Sequence, residues 1–217
     1  MINKKRVCFE GVYNILDAAA ANADTANVPD KYLPLKYARF SPIYDVMQQM
    51  AIERPRARVL DFGCGTGMAT VIGDACGLRV TGMDIDHYEV ESTAKIQRVF
   101  KREIVSNMPL PYADLLRELG EAGYDFQVFN TNEFPWSQFQ DDEFDYIYSN
   151  WAFDSNFVRL EREPIVLQGI YRNRVAECLR ISKSTANWYI SPESMRAKLK
   201  ASGLLDDSDI QLRKIIA

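Results

Sequence analysis

Three glycines and two carboxylates stand at spacings that suit the binding of a nucleotide-like ligand. Residues 59–67 read V-L-D-F-G-C-G-T-G, so Asp61 precedes a run of alternating glycines. Glycine adopts positive φ at no steric cost and lets a ligand lie against the backbone, and the N–H groups of such a turn point at that ligand. The second carboxylate, Asp84, ends the stretch L-R-V-T-G-M-D. A carboxylate in that place accepts two strong hydrogen bonds from ribose hydroxyls.

A strand–helix–strand unit would place these groups side by side. Residues 59–62 predict a buried strand, residues 68–76 a crossover helix that stops at Gly77, and residues 78–86 a second strand. Asp84 then lies beside the glycine turn, at the carboxyl ends of neighbouring parallel strands. The alternative interpretation is an ordinary strand-to-loop turn, with Asp84 as a surface acid.

The rest of the chain predicts further elements of an α/β domain. Strands are expected at 126–129, 144–149, 186–190 and 210–216, so that polar residues at 130 and 149 also follow or end parallel strands. Predicted helices cover 7–24, 42–53 with Ser41 as N-cap, 87–101, 113–119, 163–181 and 192–201.

The glycine spacing separates two families of nucleotide-binding folds. NAD enzymes carry G-x-G-x-x-G, whereas this chain has G-x-G-x-G with an acid two residues before it. That pattern resembles motif I of the class I S-adenosylmethionine-dependent methyltransferases. The run N-T-N-E-F-P-W at 130–136, followed by F-D-Y-I-Y-S at 144–149, is similar to the family's D-A-x-x-L-P-F and F-D-x-V-x-S.

This resemblance covers most of residues 58–205 and implies an α/β fold. The expected domain is doubly wound, with a mostly parallel sheet of six or seven strands, helices on both faces and extra N-terminal helices. We expect residues 1–55 to form a helical cap or lid and residues 56–217 to form the Rossmann-like cofactor domain. The chain departs from the family in lacking its K-P-G-G turn before the fifth strand and any evident seventh strand.

The resemblance also implies the cofactor S-adenosyl-L-methionine and a set of contacts for it. Asn130 replaces the usual Asp that receives the adenine amino group, Thr131 offers its N–H to the ring, and Ile85 offers an apolar surface. Phe134 and Trp136 either wall the base or pack in the core. The residues expected to bind the cofactor are Tyr44, Asp61, Gly63, Cys64, Gly65, Gly67, Asp84, Ile85, Asn130, Thr131 and Ser149.

The amino-acid composition indicates which partners and which cellular compartment suit this protein. The 217 residues carry a net charge of −4 and a sequence pI of about 5.2, which weighs against a nucleic-acid partner. Four scattered cysteines and the single histidine, His87, predict no metal site and fit a reducing cytoplasm. The chain also has no apolar run of the ~20 residues that a membrane helix needs.

The predicted function is methyl transfer from S-adenosylmethionine to a small-molecule, glycan or lipid-linked acceptor. Asn150-Trp151 does not match the Asn-Pro-Pro-aromatic signature of amino-group DNA methylation. If the acceptor is a hydroxyl, Asp154 is the candidate general base, although it also suits a helix cap. A non-catalytic partner or sensor subunit with this fold and a nicotinamide oxidoreductase are the alternatives. The acceptor atom, the oligomeric state and the role of residues 102–123 stay open.

Overall fold

A computed structural model describes residues 4–23, 40–85, 113–150, 152 and 165–191 of the chain. Helices and strands alternate through most of this part, as a parallel α/β sheet requires. The helices are α1 (Lys4–Asn22), α2 (Phe40–Glu53), α3 (Met68–Ala75), α4 (Ala113–Glu121) and α5 (Ile165–Ile181). The strands are β1 (Arg58–Phe62), β2 (Arg79–Ile85), β3 (Asp125–Phe129), β4 (Phe144–Asn150) and β5 (Ser182–Ser191).

The described strands form one parallel sheet in the order β3-β2-β1-β4-β5. Val59 of β1 is opposite Val80 on one side and Tyr146 on the other. The chain therefore winds outward from β1 in both directions, and the order reverses between β1 and β4. In open sheets of this kind, ligands bind outside the carboxyl ends of the strands at that reversal.

Two hydrophobic cores flank the sheet because side chains alternate along each strand. On one face, Val59 and Val80 pack with Leu16 of α1, Met47 of α2 and Ile72 of α3, all buried. The opposite core joins α5 to the sheet through buried residues, which include Leu60, Ile147, Val175, Cys178 and Trp188. Helices thus cover both faces, as predicted for a doubly wound fold.

Element boundaries differ from the sequence predictions in two places. Helix α2 begins at Phe40, so Ser41 lies inside the helix and is not its N-cap. Strand β5 begins at Ser182, directly after the last residue of α5, where the sequence predicted a turn. The sheet has five strands among the described residues. The strand expected at 210–216 and the helices expected at 87–101 and 192–201 lie outside them.

The described helices also bear on membrane association. None of them is long and apolar enough to cross a bilayer.

Candidate functional site

The glycine turn after β1 is held against the end of β2. Gly63, Gly65 and Gly67 have φ values of 71°, 55° and 75°, a conformation that L side chains rarely adopt. The backbone N–H groups of Gly63 and Cys64 donate to the carbonyl oxygen of Met83 at 2.8 and 3.0 Å. The turn therefore takes its position from the neighbouring strand as well as from its own sequence.

Among the described residues, the three glycines differ in the space beside them. A Cβ on Gly63 would lie 2.1 Å from the Cβ of Ala152, and one on Gly67 would lie 2.8 Å from the ring of Phe126. A Cβ on Gly65 would meet no atom of the described part of the chain within 4 Å. The outer two glycines thus admit neighbouring side chains, and Gly65 leaves room for a ligand.

Asp84 lies at the turn, as the strand–helix–strand unit predicted. Its Oδ2 accepts a hydrogen bond from the Gly65 N–H at 2.8 Å, and its Oδ1 accepts from the Ile85 N–H at 2.8 Å. The side chain is buried, and Ile85 beside it is half-buried. Two fixed backbone donors orient the carboxylate beside the open position at Gly65.

Asp61 is the second carboxylate of the site and is only 2% exposed. Its Oδ2 accepts a hydrogen bond from the Thr70 hydroxyl at 2.9 Å, and the Thr70 N–H also donates to it. Burial, together with the neighbouring charge of Asp84, raises the pKa of Asp61 to about 7 against the lowering effect of the Thr70 hydrogen bonds. No lysine or arginine of the described part pairs with Asp61, so a cationic ligand would find an uncompensated acid there.

The thiol of Cys64 and the phenol of Tyr148 also face this acid. Both are buried, and burial together with the charge of Asp61 raises the pKa of each group. Both groups are therefore neutral near pH 7.

The loop after β3 carries the residues expected to hold a base. Asn130 Oδ1 accepts from the Asn132 N–H at 3.1 Å, and Asn130 Nδ2 donates to Glu133 at 3.0 Å. Thr131 is buried, and its carbonyl oxygen accepts from the Trp136 indole N–H at 3.1 Å. Asn130 is half-buried, directly after the strand that pairs with the end of β2.

Trp136 belongs to the core and does not wall a base. Its side chain is fully buried, with its ring centroid about 6 Å from those of Phe62, Phe129 and Phe134. Of the two interpretations that the sequence allowed for Trp136, core packing is the one the structure supports. Phe134 is half-buried and packs against the edge of the same cluster.

Side chains of helix α5 hold this loop in place through hydrogen bonds. Glu177 Oε2 accepts from the Trp136 backbone N–H at 2.8 Å, and Arg180 Nη2 donates to the Trp136 carbonyl oxygen at 3.1 Å and to Glu177 at 2.7 Å. Arg174 Nη2 donates to Asn132 Oδ1 at 2.6 Å, and Asn132 in turn bonds Asn130. These side chains stand three residues apart on one side of the helix, so the loop is fixed along two turns of α5.

The other residues predicted to contact the cofactor are Ser149 and Tyr44, and both are buried. Ser149, the last residue but one of β4, has a fully buried hydroxyl without a hydrogen-bond partner among the described residues. Tyr44 of α2 is buried in the core that contains α1 and α3. Asp154 lies outside the described residues.

Two residues of the site were missed by the sequence analysis. Thr70, the third residue of α3, bonds Asp61, and Gly82 of β2 gives its side chain room. Neither position belongs to a recognisable spacing. Their roles arise where a helix packs on two strands, which a linear pattern does not show.

The family of the chain follows from a match over this same region. A family model described as a methyltransferase domain matches residues 33–155, more than half of the chain. That span contains the glycine turn, both carboxylates and the loop after β3. The chain belongs to the class I S-adenosylmethionine-dependent methyltransferases.

Similar proteins share parts of this sequence and fold. Ribosomal protein L11 methyltransferase from Burkholderia mallei (strain NCTC 10229) is 35% identical over 57 residues, which are 26% of this chain and 19% of that protein. The match thus spans about a fifth of the relative's length.

Solved structures resemble a larger share of the chain. The PH0226 protein from Pyrococcus horikoshii OT3 aligns with a TM-score of 0.43 and 17% identity, covering 82% of this chain and 66% of that one. CalS10, an amino pentose methyltransferase from Micromonospora echinaspora, aligns with a TM-score of 0.41 and 19% identity, covering 69% and 49%.

The residues of this methyltransferase fit the family's cofactor. S-adenosylmethionine carries a sulfonium and an ammonium charge, two ribose hydroxyls and an adenine ring. Asp61 offers a buried negative charge, Asp84 an oriented acceptor pair, and Gly65 an open approach to the backbone. These two acceptors therefore match the cofactor's positive charge and its hydroxyls.

Proposed function

We propose that this methyltransferase transfers the methyl group of S-adenosylmethionine to a small-molecule, glycan or lipid-linked acceptor. The observation that carries the cofactor assignment is the pair of buried, neighbouring carboxylates, Asp61 and Asp84, of which Asp84 is bonded to the N–H of Gly65. Hydrogen-bond donors of the chain already reach both acids, but no lysine or arginine of the described part neutralises Asp61, and a buried charge is costly without a counter-charge. A ligand that is cationic at one end and rich in hydroxyls at its centre supplies that charge and further donors.

We assign the two carboxylates different parts of the cofactor. Asp84 is oriented by the N–H groups of Gly65 and Ile85, and it serves as the acceptor for the ribose hydroxyls. Asp61 lies deeper and lacks a cation among the described residues, and it serves as the counter-charge of the ammonium group. Ile85 and Asn130 then contact the adenine ring and its amino group.

When bound, the cofactor brings both the methyl group and its leaving group. The chain's own contribution is to hold the acceptor nucleophile in line with the methyl carbon and sulfur, and to exclude water. A hydroxyl acceptor also loses a proton, for which Asp154 is the proposed base. The methylated acceptor and S-adenosylhomocysteine are the products.

The proposed acceptor class rests on the mismatch between Asn150-Trp151 and the Asn-Pro-Pro-aromatic signature, and on the net charge of the chain. A net charge of −4 suits a nucleic-acid acceptor poorly. The relative from Burkholderia is named for a ribosomal protein, so a protein acceptor is the second class to test. The matched 57 residues give no reason to prefer it over a small molecule.

Calorimetric titration with S-adenosylmethionine, S-adenosylhomocysteine and NADH tests the cofactor assignment. We expect micromolar binding of both adenosyl ligands and none of NADH. Binding of NADH alone would refute the proposal in favour of an oxidoreductase. Adenosyl binding without turnover across small-molecule, glycan, lipid-linked and protein acceptors would favour a non-catalytic partner or sensor subunit.

A further inference from the structure

In the part of the chain that the structure describes, Thr70 of α3 is the residue that hydrogen-bonds the Asp61 carboxylate. Thr70 donates its hydroxyl hydrogen to Asp61 Oδ2 at 2.9 Å and its backbone N–H to the same carboxylate. Thr70 is 1% exposed and Asp61 is 2% exposed. Water therefore does not compete for this contact, and the two donors restrict the orientation of the acid.

The contact also satisfies the start of α3. Thr70 is the third residue of that helix, and the backbone N–H groups of the first turn have no partner within the helix. The residue that precedes the helix, Gly67, has no side chain with which to cap them. Asp61 reaches across from β1 and takes that role, and its negative charge is favoured at a helix N-terminus.

Gly82 makes the contact sterically possible. It is the register partner of Asp61 on β2, and a Cβ there would lie 2.7 Å from the Thr70 hydroxyl oxygen. The same Cβ would meet the Phe126 ring at 2.5 Å. The missing side chain thus leaves the space that the hydroxyl of Thr70 occupies.

An ionised carboxylate can accept about four hydrogen bonds, and Thr70 supplies two of them. We propose that Thr70 is a positioning residue for the amino-acid end of the cofactor, because its hydroxyl holds the Asp61 carboxylate in the orientation that receives the ammonium group. This inference rests on the proposed function, which assigns that group to Asp61. Thr70 acts through Asp61 and itself contacts no ligand.

Two ligands separate this role from general support of the pocket. S-adenosylhomocysteine carries the ammonium group, whereas 5′-methylthioadenosine has the same adenosine part without the amino-acid end. In Thr70→Val, which keeps the shape and loses the hydroxyl, we expect affinity for S-adenosylhomocysteine to fall about tenfold, as for loss of a hydrogen bond to a charged group. Affinity for 5′-methylthioadenosine should change less than twofold, and Thr70→Ser should restore both values.

A pH series adds a second readout that a structural role would not move. Among the described residues, the titratable groups that interact with Asp61 are Asp84 on β2, Cys64 in the turn and Tyr148 on β4. The Thr70 hydroxyl lowers the pKa of Asp61, so its loss in the valine variant raises that pKa. The pH below which S-adenosylhomocysteine binding weakens should therefore move upward in Thr70→Val and return in Thr70→Ser.

Thr81→Val is the matched control. Thr81 is a buried threonine of β2 whose hydroxyl donates to Asp125 of β3 at 2.6 Å. Its register partner on β1 is Leu60, so its side chain points to the opposite face of the sheet from that of Asp61. We expect Thr81→Val to leave the ratio of the two affinities unchanged. Equal loss of both ligands in Thr70→Val, or no loss of either, would overturn the inference. If the wild-type protein binds neither ligand, the proposed function itself fails.

Discussion

Replacing Asp61 with asparagine should change how the stability of the free protein depends on pH. The pKa of Asp61 is raised from 3.8 to about 7 in the folded chain. The native state therefore binds an extra proton between these values, and the free energy of unfolding falls as the pH rises through that window. Over the whole window the carboxylate costs about 4 kcal/mol, at about 1.4 kcal/mol for each unit of pKa.

The measurable part of this effect lies between pH 5 and pH 8. Within that range, wild-type protein should lose about 2.5 kcal/mol more stability than Asp61→Asn, which keeps the shape of the side chain but has no charge to bury. Urea denaturation at several pH values gives this difference directly. The fluorescence of Trp136 and Trp188, both fully buried, reports unfolding of the core beside the sheet.

The control is Asp125→Asn. Asp125 also accepts a hydrogen bond from a threonine hydroxyl, but it is exposed. The free energy of unfolding of Asp125→Asn should therefore change between pH 5 and pH 8 as it does in the wild type. If Asp61→Asn and the wild type lose stability in parallel from pH 5 to pH 8, burial of Asp61 does not carry the cost assigned to it.

Three further substitutions test other parts of the molecule. Asp84→Ala should weaken binding of S-adenosylhomocysteine by ~2–4 kcal/mol, because it removes charge-assisted bonds to the ribose, and calorimetry showing wild-type affinity would refute its placement. Glu177→Gln should loosen the loop that begins at Asn130, so the affinity for S-adenosylhomocysteine should fall and the free energy of unfolding should drop by about 1–3 kcal/mol. Calorimetry and denaturant unfolding measure the two effects, and unchanged values would show that α5 does not hold the loop. Asp145→Asn should cost about 1–2 kcal/mol of unfolding free energy at pH 7 and leave ligand affinity intact.

The last of these predictions rests on a cluster at the amino-terminal end of β4. Asp145 accepts hydrogen bonds from Arg54 at 2.6 Å, from Lys183 at 2.8 Å and from the Arg58 N–H at 2.9 Å. Burial raises its pKa, but these donors more than offset that effect and leave the pKa below 3.8. Its stabilisation is therefore present above pH 4 and lost in stronger acid, outside the range used for Asp61.

The sequence was most informative where local pattern and tertiary position agree. The run V-L-D-F-G-C-G-T-G predicted β1 and the turn, and residues 68–86 after it predicted α3, β2 and the place of Asp84, because a strand–helix–strand unit has few geometries. It was less informative about the job of each glycine. Gly63 and Gly67 admit Ala152 and Phe126, which come from distant parts of the chain.

The points that the sequence left open or missed share this dependence on distant packing. The sequence allowed Trp136 to wall a base or to pack in the core, and core packing is what the structure shows, because α5 and three phenylalanines surround its ring. Strand β5 starts without a turn because Ser182 already pairs with Phe144. The link from Thr70 to Asp61 needs the gap at Gly82, two strands and one helix together, and no spacing in the sequence encodes it.

The reversal of strand order between β1 and β4 has a consequence for how the protein is made. β1 pairs with β2 through residues close in sequence, such as Val59 with Val80, whereas its pairing with β4 joins Val59 to Tyr146. Closing the longer loop costs more entropy and slows the step that depends on it. We therefore expect the glycine turn and both carboxylates to assemble on the early half of the sheet during synthesis, before β4 and β5 dock as its second half.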